Sequence, residues 1–172
     1  MSATRTMGIS VTDVDTEQKL PLGFCYRQPA SSDDFGEKHW VYVFNDGSAD
    51  FTAGAIVIRD PSAATASSPN GTMYGCEVAD ASSPTPAMLV VGVAQHTIAQ
   101  GSYGFVQSKG RATVQCGTAD ITADTAITSG GSGAGDAIDF ADGAEECVIG
   151  HSLEAQASDN DTFTAYINCP GA

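Results

Sequence analysis

The stretch VVGVAQHTIAQGSYGFVQSKGRATV, residues 90–114, decides the fold class. Two apolar runs, Val90–Ala94 and Tyr103–Val106, are joined by a polar link. A third run, Arg111–Cys116, alternates, with Ala112, Val114 and Cys116 on one face and Arg111, Thr113 and Gln115 on the other. Period-two alternation is the mark of a strand, because successive side chains point to opposite faces. Gly110 lies between the second and third runs and predicts a hairpin turn there. A strand-and-turn grammar with no catalytic motif directs attention to surfaces.

The same grammar runs outward in both directions. Upstream, Lys38–Phe44 is rich in aromatic and β-branched residues and stops at the turn Asn45-Asp46-Gly47. Trp40, Tyr42 and Phe44 share one face and Val41 and Val43 the other, which predicts that both faces are covered. Gly54–Arg59 predicts a further strand, halted by Asp60-Pro61. Downstream, Val148–Ala155 is strand-like, and Thr162–Cys169 alternates with Phe163, Ala165, Ile167 and Cys169 inward. Ser129–Gly135 is expected to be a flexible loop, and Asp139–Glu146 is the best place for a short helix. The expected architecture is all-β, a compact β-barrel or sandwich with an extended N-terminal arm and long surface loops. Its expected divisions are an arm over residues 1–20, an N-terminal β subdomain over 21–86 and a C-terminal barrel-like unit over 87–172. The Ser/Ala/Pro-rich loops Pro61–Asn70 and Ala79–Pro86 mark the boundary, with a short strand or turn at Thr72–Val78 between them.

Composition narrows the function classes. A chain of 172 residues can bury a core without metals or crosslinks. Charged residues are only 16%, below the ~25% usual for soluble domains, so Ser, Thr, Asn and Gln must supply much of the polar surface. The net charge is −14 with only 7 Lys+Arg, and after Arg59 the only basic side chains are Lys109 and Arg111. Such a field repels phosphate backbones, so a nucleic-acid partner is not expected. No apolar run approaches the ~20 residues of a membrane span, and Asp13 and Asp15 interrupt any signal-like run, so neither membrane nor secretion is expected. Cys25, Cys76, Cys116, Cys147 and Cys169 are odd in number, widely spaced and mostly set in apolar patterns, which predicts reduced, mostly buried thiols.

Catalytic and ligand motifs fall short. Gly130-Gly131-Ser132-Gly133 is followed by Ala134, and Gly150-His151-Ser152-Leu153-Glu154 lacks the closing glycine, so neither is a nucleophile elbow. In Gly131-x-Gly133-x-Gly135, Asp136 follows where a dinucleotide loop needs a different pattern, and no βαβ unit surrounds it. His39, His96 and His151 lie far apart and are expected to be structural or surface histidines. Asp46 and Asp50, Asp136, Asp139 and Asp142, and Asp159 and Asp161 carry oxygen ligands but match no calcium loop. Asn70 and Asn160 begin glycosylation sequons with no secretory signal to use them. The chain is therefore expected not to be an enzyme, and to use no cofactor and no metal.

The order of these elements resembles the small head-decoration, or capsid cement, proteins of tailed bacteriophages. The resemblance rests on HWVYVFNDG (39–47), GAIVIRD (54–60), the 90–114 stretch, ITADTAITSGG (121–131), VIGHSLEA (148–155) and the closing alternation of Thr with apolar residues. It implies a structural virion protein, present in the host cytoplasm during assembly and then on the outer capsid surface. There it would staple junctions between major capsid protein capsomers of the expanded shell, with dimers or trimers of itself on the capsid. The arm is expected to carry the capsid contact, through the alternating Ile9 and Val11 and the cations Arg5 and Lys19, adding a strand to a capsid sheet edge. The competing expectation is a receptor- or glycan-binding β-module of a tail fibre or adhesin. That reading favours aromatics in exposed loops, whereas Trp40, Tyr42 and Phe44 share a strand.

Overall fold

The computed structural model describes residues 5–6, 8–30, 36–60, 74–81, 84–117, 121–141, 145–158 and 160–172. Among the described residues twelve strands run in chain order: β1 (Arg5–Thr6), β2 (Ile9–Ser10), β3 (Cys25–Gln28), β4 (Lys38–Asn45), β5 (Ile56–Arg59), β6 (Gly75–Val78), β7 (Val90–Val93), β8 (Tyr103–Gln115), β9 (Ala126–Ser129), β10 (Ala137–Asp139), β11 (Val148–Ser152) and β12 (Thr162–Asn168). Two 3-10 turns, Ala87–Leu89 and Glu145–Cys147, complete the described elements, and among the described residues there is no α-helix. The helix expected at Asp139–Glu146 is absent from both described ends of that span: Asp139 closes β10 and Glu145 opens a 3-10 turn, while residues 142–144 lie outside the described residues.

β1 and β2 form a small antiparallel pair, and the other ten strands form one sheet in the order β10-β9-β11-β12-β8-β7-β5-β6-β4-β3. An additional β8–β4 pairing closes β4, β8, β7, β5 and β6 into a five-stranded barrel. Every pairing around that ring is antiparallel except the parallel join of β4 to β6, where Phe44 faces Gly75 and Asn45 faces Cys76. The ring draws three strands from before the 79–86 loop and two from after it. The barrel interior takes one or more side chains from each strand: Val41 and Val43, Val106, Val91, Val57 and Cys76, with Phe51 and Ile98 as plugs.

β12, β11, β9 and β10, with the second half of β8, make a curved extension that folds back over the barrel. Ile56, Ile58, Val90 and Val93 on the barrel side meet Val114, Ile127, Ile149, Phe163 and Ile167 from the extension. β5 and β7 are thus covered on both faces, which is why they read as continuous apolar runs. A third core lies outside the barrel on the other face of β4. There Trp40, Tyr42, Phe44, Tyr103 and Phe105 pack beneath Val11 and Leu20 of the N-terminal segment. The two-faced burial expected for β4 is what the structure shows.

The predicted hairpin at Gly110 is not formed. β8 runs unbroken through it for 13 residues. Its first part pairs with β4 and its second part with β12. Gly110 has φ +102°, and a Cβ there would stand 2.7 Å from the Glu37 carbonyl oxygen, so the position demands glycine for a bend inside a strand. The register against β4 slips between His39 and Trp40 at the same place. The buried Gln107 amide stitches the bend, donating to the Lys109 carbonyl at 3.1 Å and the Arg111 carbonyl at 2.9 Å. Glycine with positive φ serves turns and bulges alike, which is why the pattern misled.

The segment expected to be a flexible loop, Ser129–Gly135, is pinned. Gly130 N–H donates to Asp136 O, Ser132 N–H to Gly117 O and Gly135 N–H to Ala79 O. The Gly117 and Gly131 backbones approach so closely that a Cβ on Gly131 would lie 2.6 Å from Gly117 Cα. All five cysteines are free thiols; Cys25 is exposed and the other four are buried. Burial pushes the Cys169 thiol up to about 12, consistent with an inert core residue. The loop Pro61–Asn70, the whole sequon at residues 70–72, Asp142 and Asp159 lie outside the described residues.

Candidate interaction surface

Of the four arm residues singled out by sequence, two point into the protein's own body. Val11 is 3% exposed in the aromatic cluster of the third core, and Ile9 packs against the same cluster. The chain is held there by backbone bonds in both directions between Asp15 and Tyr103, at 3.0 and 2.7 Å. Lys19 N–H donates to the Tyr42 hydroxyl at 3.2 Å. Burial raises the pKa of that hydroxyl, so it stays protonated at neutral pH. The Lys19 ammonium is exposed and 3.1 Å from Glu17. Arg5 lies in β1, whose Cα partner in β2 is Ser10.

Buried polar groups are spent on tying turns. Asn45 donates to the Ala49 and Ile98 carbonyls at 2.9 and 3.0 Å and accepts from Gly47 N–H at 3.1 Å. The Ser152 hydroxyl donates to the Thr122 carbonyl and accepts from Thr125 N–H at 3.1 Å. Of the candidate calcium ligands, Asp139 accepts from Thr122 N–H at 3.0 Å and Asp50 from Gln100 N–H at 2.8 Å. Among the described residues no group of three or more His, Cys, Asp or Glu is placed to hold a metal ion.

The structure gathers a set of basic side chains that the sequence keeps apart. Arg27 of β3 is the register partner of His39 of β4, His39 of Lys109 of β8, and Lys109 of Asn168 of β12. This row crosses four strands and borders a groove of about 360 Å³, also lined by Cys25 and Pro170. A second depression is lined by Lys38 and Arg111 together with Gln95 and Thr164. Four of the chain's seven Lys and Arg therefore border two hollows. Arg111 in turn has Tyr166 as its register partner, and Tyr166 stacks on His151 with ring centroids 5.8 Å apart. His96 lies elsewhere, half-buried, and its burial lowers its pKa and favours the neutral ring. No spacing rule joins residues 27, 38, 39, 109 and 111; only the strand register does.

Glu37 reports the electrostatics of this region. Its carboxylate is 2.7 Å from His39 Nε2. That hydrogen bond, against an opposing cost of desolvation and with the fields of His39, Arg27 and Lys109 added, holds the carboxyl below the usual carboxylate range.

No protein-family model and no curated protein matches the chain. Among solved structures it is similar to the N base of the head fiber gp8.5 of bacteriophage phi29. Identity is 18%, the match covers 75% of this chain and 94% of that one, and the TM-score is 0.49.

Proposed function

We propose that the chain is a non-enzymatic structural protein of a tailed-phage virion, bound to the outer surface of the icosahedral head and stabilising the expanded shell at junctions between capsomers. The observation that carries this reading is the order of strands. The segments 38–45, 56–59, 90–93, 103–115, 126–129, 148–152 and 162–168, on which the resemblance to head-decoration proteins rests, are all strands of one continuous sheet. The physical character of the molecule supports it. Three buried cores hold a rigid all-β body, and a net charge of −14 keeps many copies soluble before they dock. The partners under this proposal are the major capsid protein and further copies of the chain, and no cofactor is required.

Burial of Val11 and Ile9 recasts the arm. Val11 and Ile9 pack on the aromatic cluster outside the barrel, which leaves the exposed Lys19 ammonium and the sheet surface to meet the shell. The test is cryo-electron microscopy of virions that carry the chain. Regular protrusions at symmetry-related positions on the head are expected. Density confined to a tail tip or fibre would overturn the proposal in favour of a receptor- or glycan-binding module.

A further inference from the structure

We propose that the row Arg27–His39–Lys109, beside the open edge of β3, is a docking site for an acidic, extended segment of a partner protein. Three observations converge. β3 stands at one end of the sheet order and has β4 as its strand neighbour; among the described residues no strand pairs with its other edge. Such an edge presents backbone N–H and C=O groups to any extended chain. The three basic side chains are register partners on successive strands, so they span about 10 Å at the usual inter-strand spacing. The groove they border is deep enough, at about 360 Å³, to seat side chains of an added strand.

Charge complementarity names the occupant. A molecule of net charge −14 places two of its seven Lys and Arg, with His39 between them, on the border of this groove. A single edge cation would serve to discourage unwanted edge pairing. The row instead runs inward from the edge across three strands, so acidic side chains of an added strand meet Arg27 first, with the field of Lys109 behind it. Glu37 shows the row acting on a carboxylate of the chain itself, through the 2.7 Å contact to His39. A nucleic acid is disfavoured because the 21 Asp and Glu repel a continuous polyanion, whereas a peptide brings only a few charges to a local match. This inference names a partner by chemistry alone and stands apart from the virion reading. Virions without shell protrusions would leave the peptide result untouched, and the reverse also holds.

The experiment titrates the full chain against a fluorescent peptide of roughly ten residues alternating Asp with Val. A matched peptide carrying Asn in place of Asp serves as the reference. Anisotropy is read at about 50 mM and about 200 mM salt. The acidic peptide should bind about tenfold tighter than its Asn counterpart, with the gap shrinking as salt rises. Arg27→Gln with Lys109→Gln should abolish the gap. Hydrogen exchange on the unaltered chain supplies a readout independent of the variant: amides of Cys25 and Arg27 should become protected when peptide is added. Equal affinity for the two peptides, or unprotected β3 amides at saturation, would overturn the proposal. So would an oligonucleotide that binds as tightly as the acidic peptide. A sedimentation mass that rises with concentration and reverts in the double variant would seat a second copy there and overturn it as well.

Discussion

The two halves of β8 are one strand in two environments. Tyr103–Ser108 is buried at every position, while Lys109–Gln115 alternates between buried and partly or fully exposed. The first half has the barrel interior on one face and the aromatic cluster under the N-terminal segment on the other. The second half has the core of the sheet extension on one face and solvent on the other. A strand's pattern therefore records how many of its faces are covered, and it changes at the residue where the covering ends. Gly110, with Gln107 bracing it, is that residue.

The largest effect should come from the doubly covered half. Phe105→Ala removes a ring that is 1% exposed and 5.1 Å from the Tyr42 ring. It should cost about 3–5 kcal/mol in a denaturant titration. A loss below about 1 kcal/mol would mean that the outer face of the barrel is not a packed core.

The boundary itself comes next. Gly110→Ala places a Cβ against the Glu37 carbonyl in a backbone region that side chains avoid. It should cost roughly 1–3 kcal/mol. A neutral result would show that the bend can move, and that the two halves are less distinct than their burial suggests.

How much of this was legible beforehand depends on how local each cause is. The alternation of β12 and of Arg111–Cys116, and the two faces of β4, follow from neighbours one or two positions apart, and the structure has them as the sequence predicts. The turn at Asn45-Asp46-Gly47 is likewise a local matter. Gly110 was misread because a lone glycine between apolar runs suits both a hairpin and a bulge, and the choice is made by β4 and β12, which lie far away in sequence. The parallel join of β4 to β6, which closes the barrel, leaves no local trace. Neither does the basic row. Arg27, His39 and Lys109 become neighbours only once the register of three strands is set.

The arm tests the comparison more gently. The alternation of Ile9 and Val11 announces a docking strand but not the surface it docks on, and Val11 and Leu20 are buried against the chain's own aromatic face. Val11→Ala should cost about 1–2 kcal/mol. Its characteristic sign would be a change in the near-ultraviolet signal of the aromatic cluster, with the far-ultraviolet signal intact. A stability loss with no aromatic change would place the contribution of Val11 outside that cluster.

The smallest effect belongs to the half that faces water. Thr113, an exposed position of the same strand as Phe105, should tolerate Ala within about 0.5 kcal/mol. A larger loss would trace to the Gln95 side chain, which bonds the Thr113 backbone at 3.0 and 3.1 Å. Gln95→Ala would then reproduce it.

Because β8 belongs to both the barrel and the extension, neither is complete without it. The barrel closes when β8 finds β4, some sixty positions earlier, and the extension forms when β8 finds β12, about fifty positions later. Both searches are long loops that end on the same short piece of chain, which makes for slow assembly in the manner of topologies ruled by distant pairings. It also makes for a single melting event, since prying out β8 to open one half removes the wall of the other. A molecule that fails only as a whole holds its shape until the load exceeds all of its contacts together.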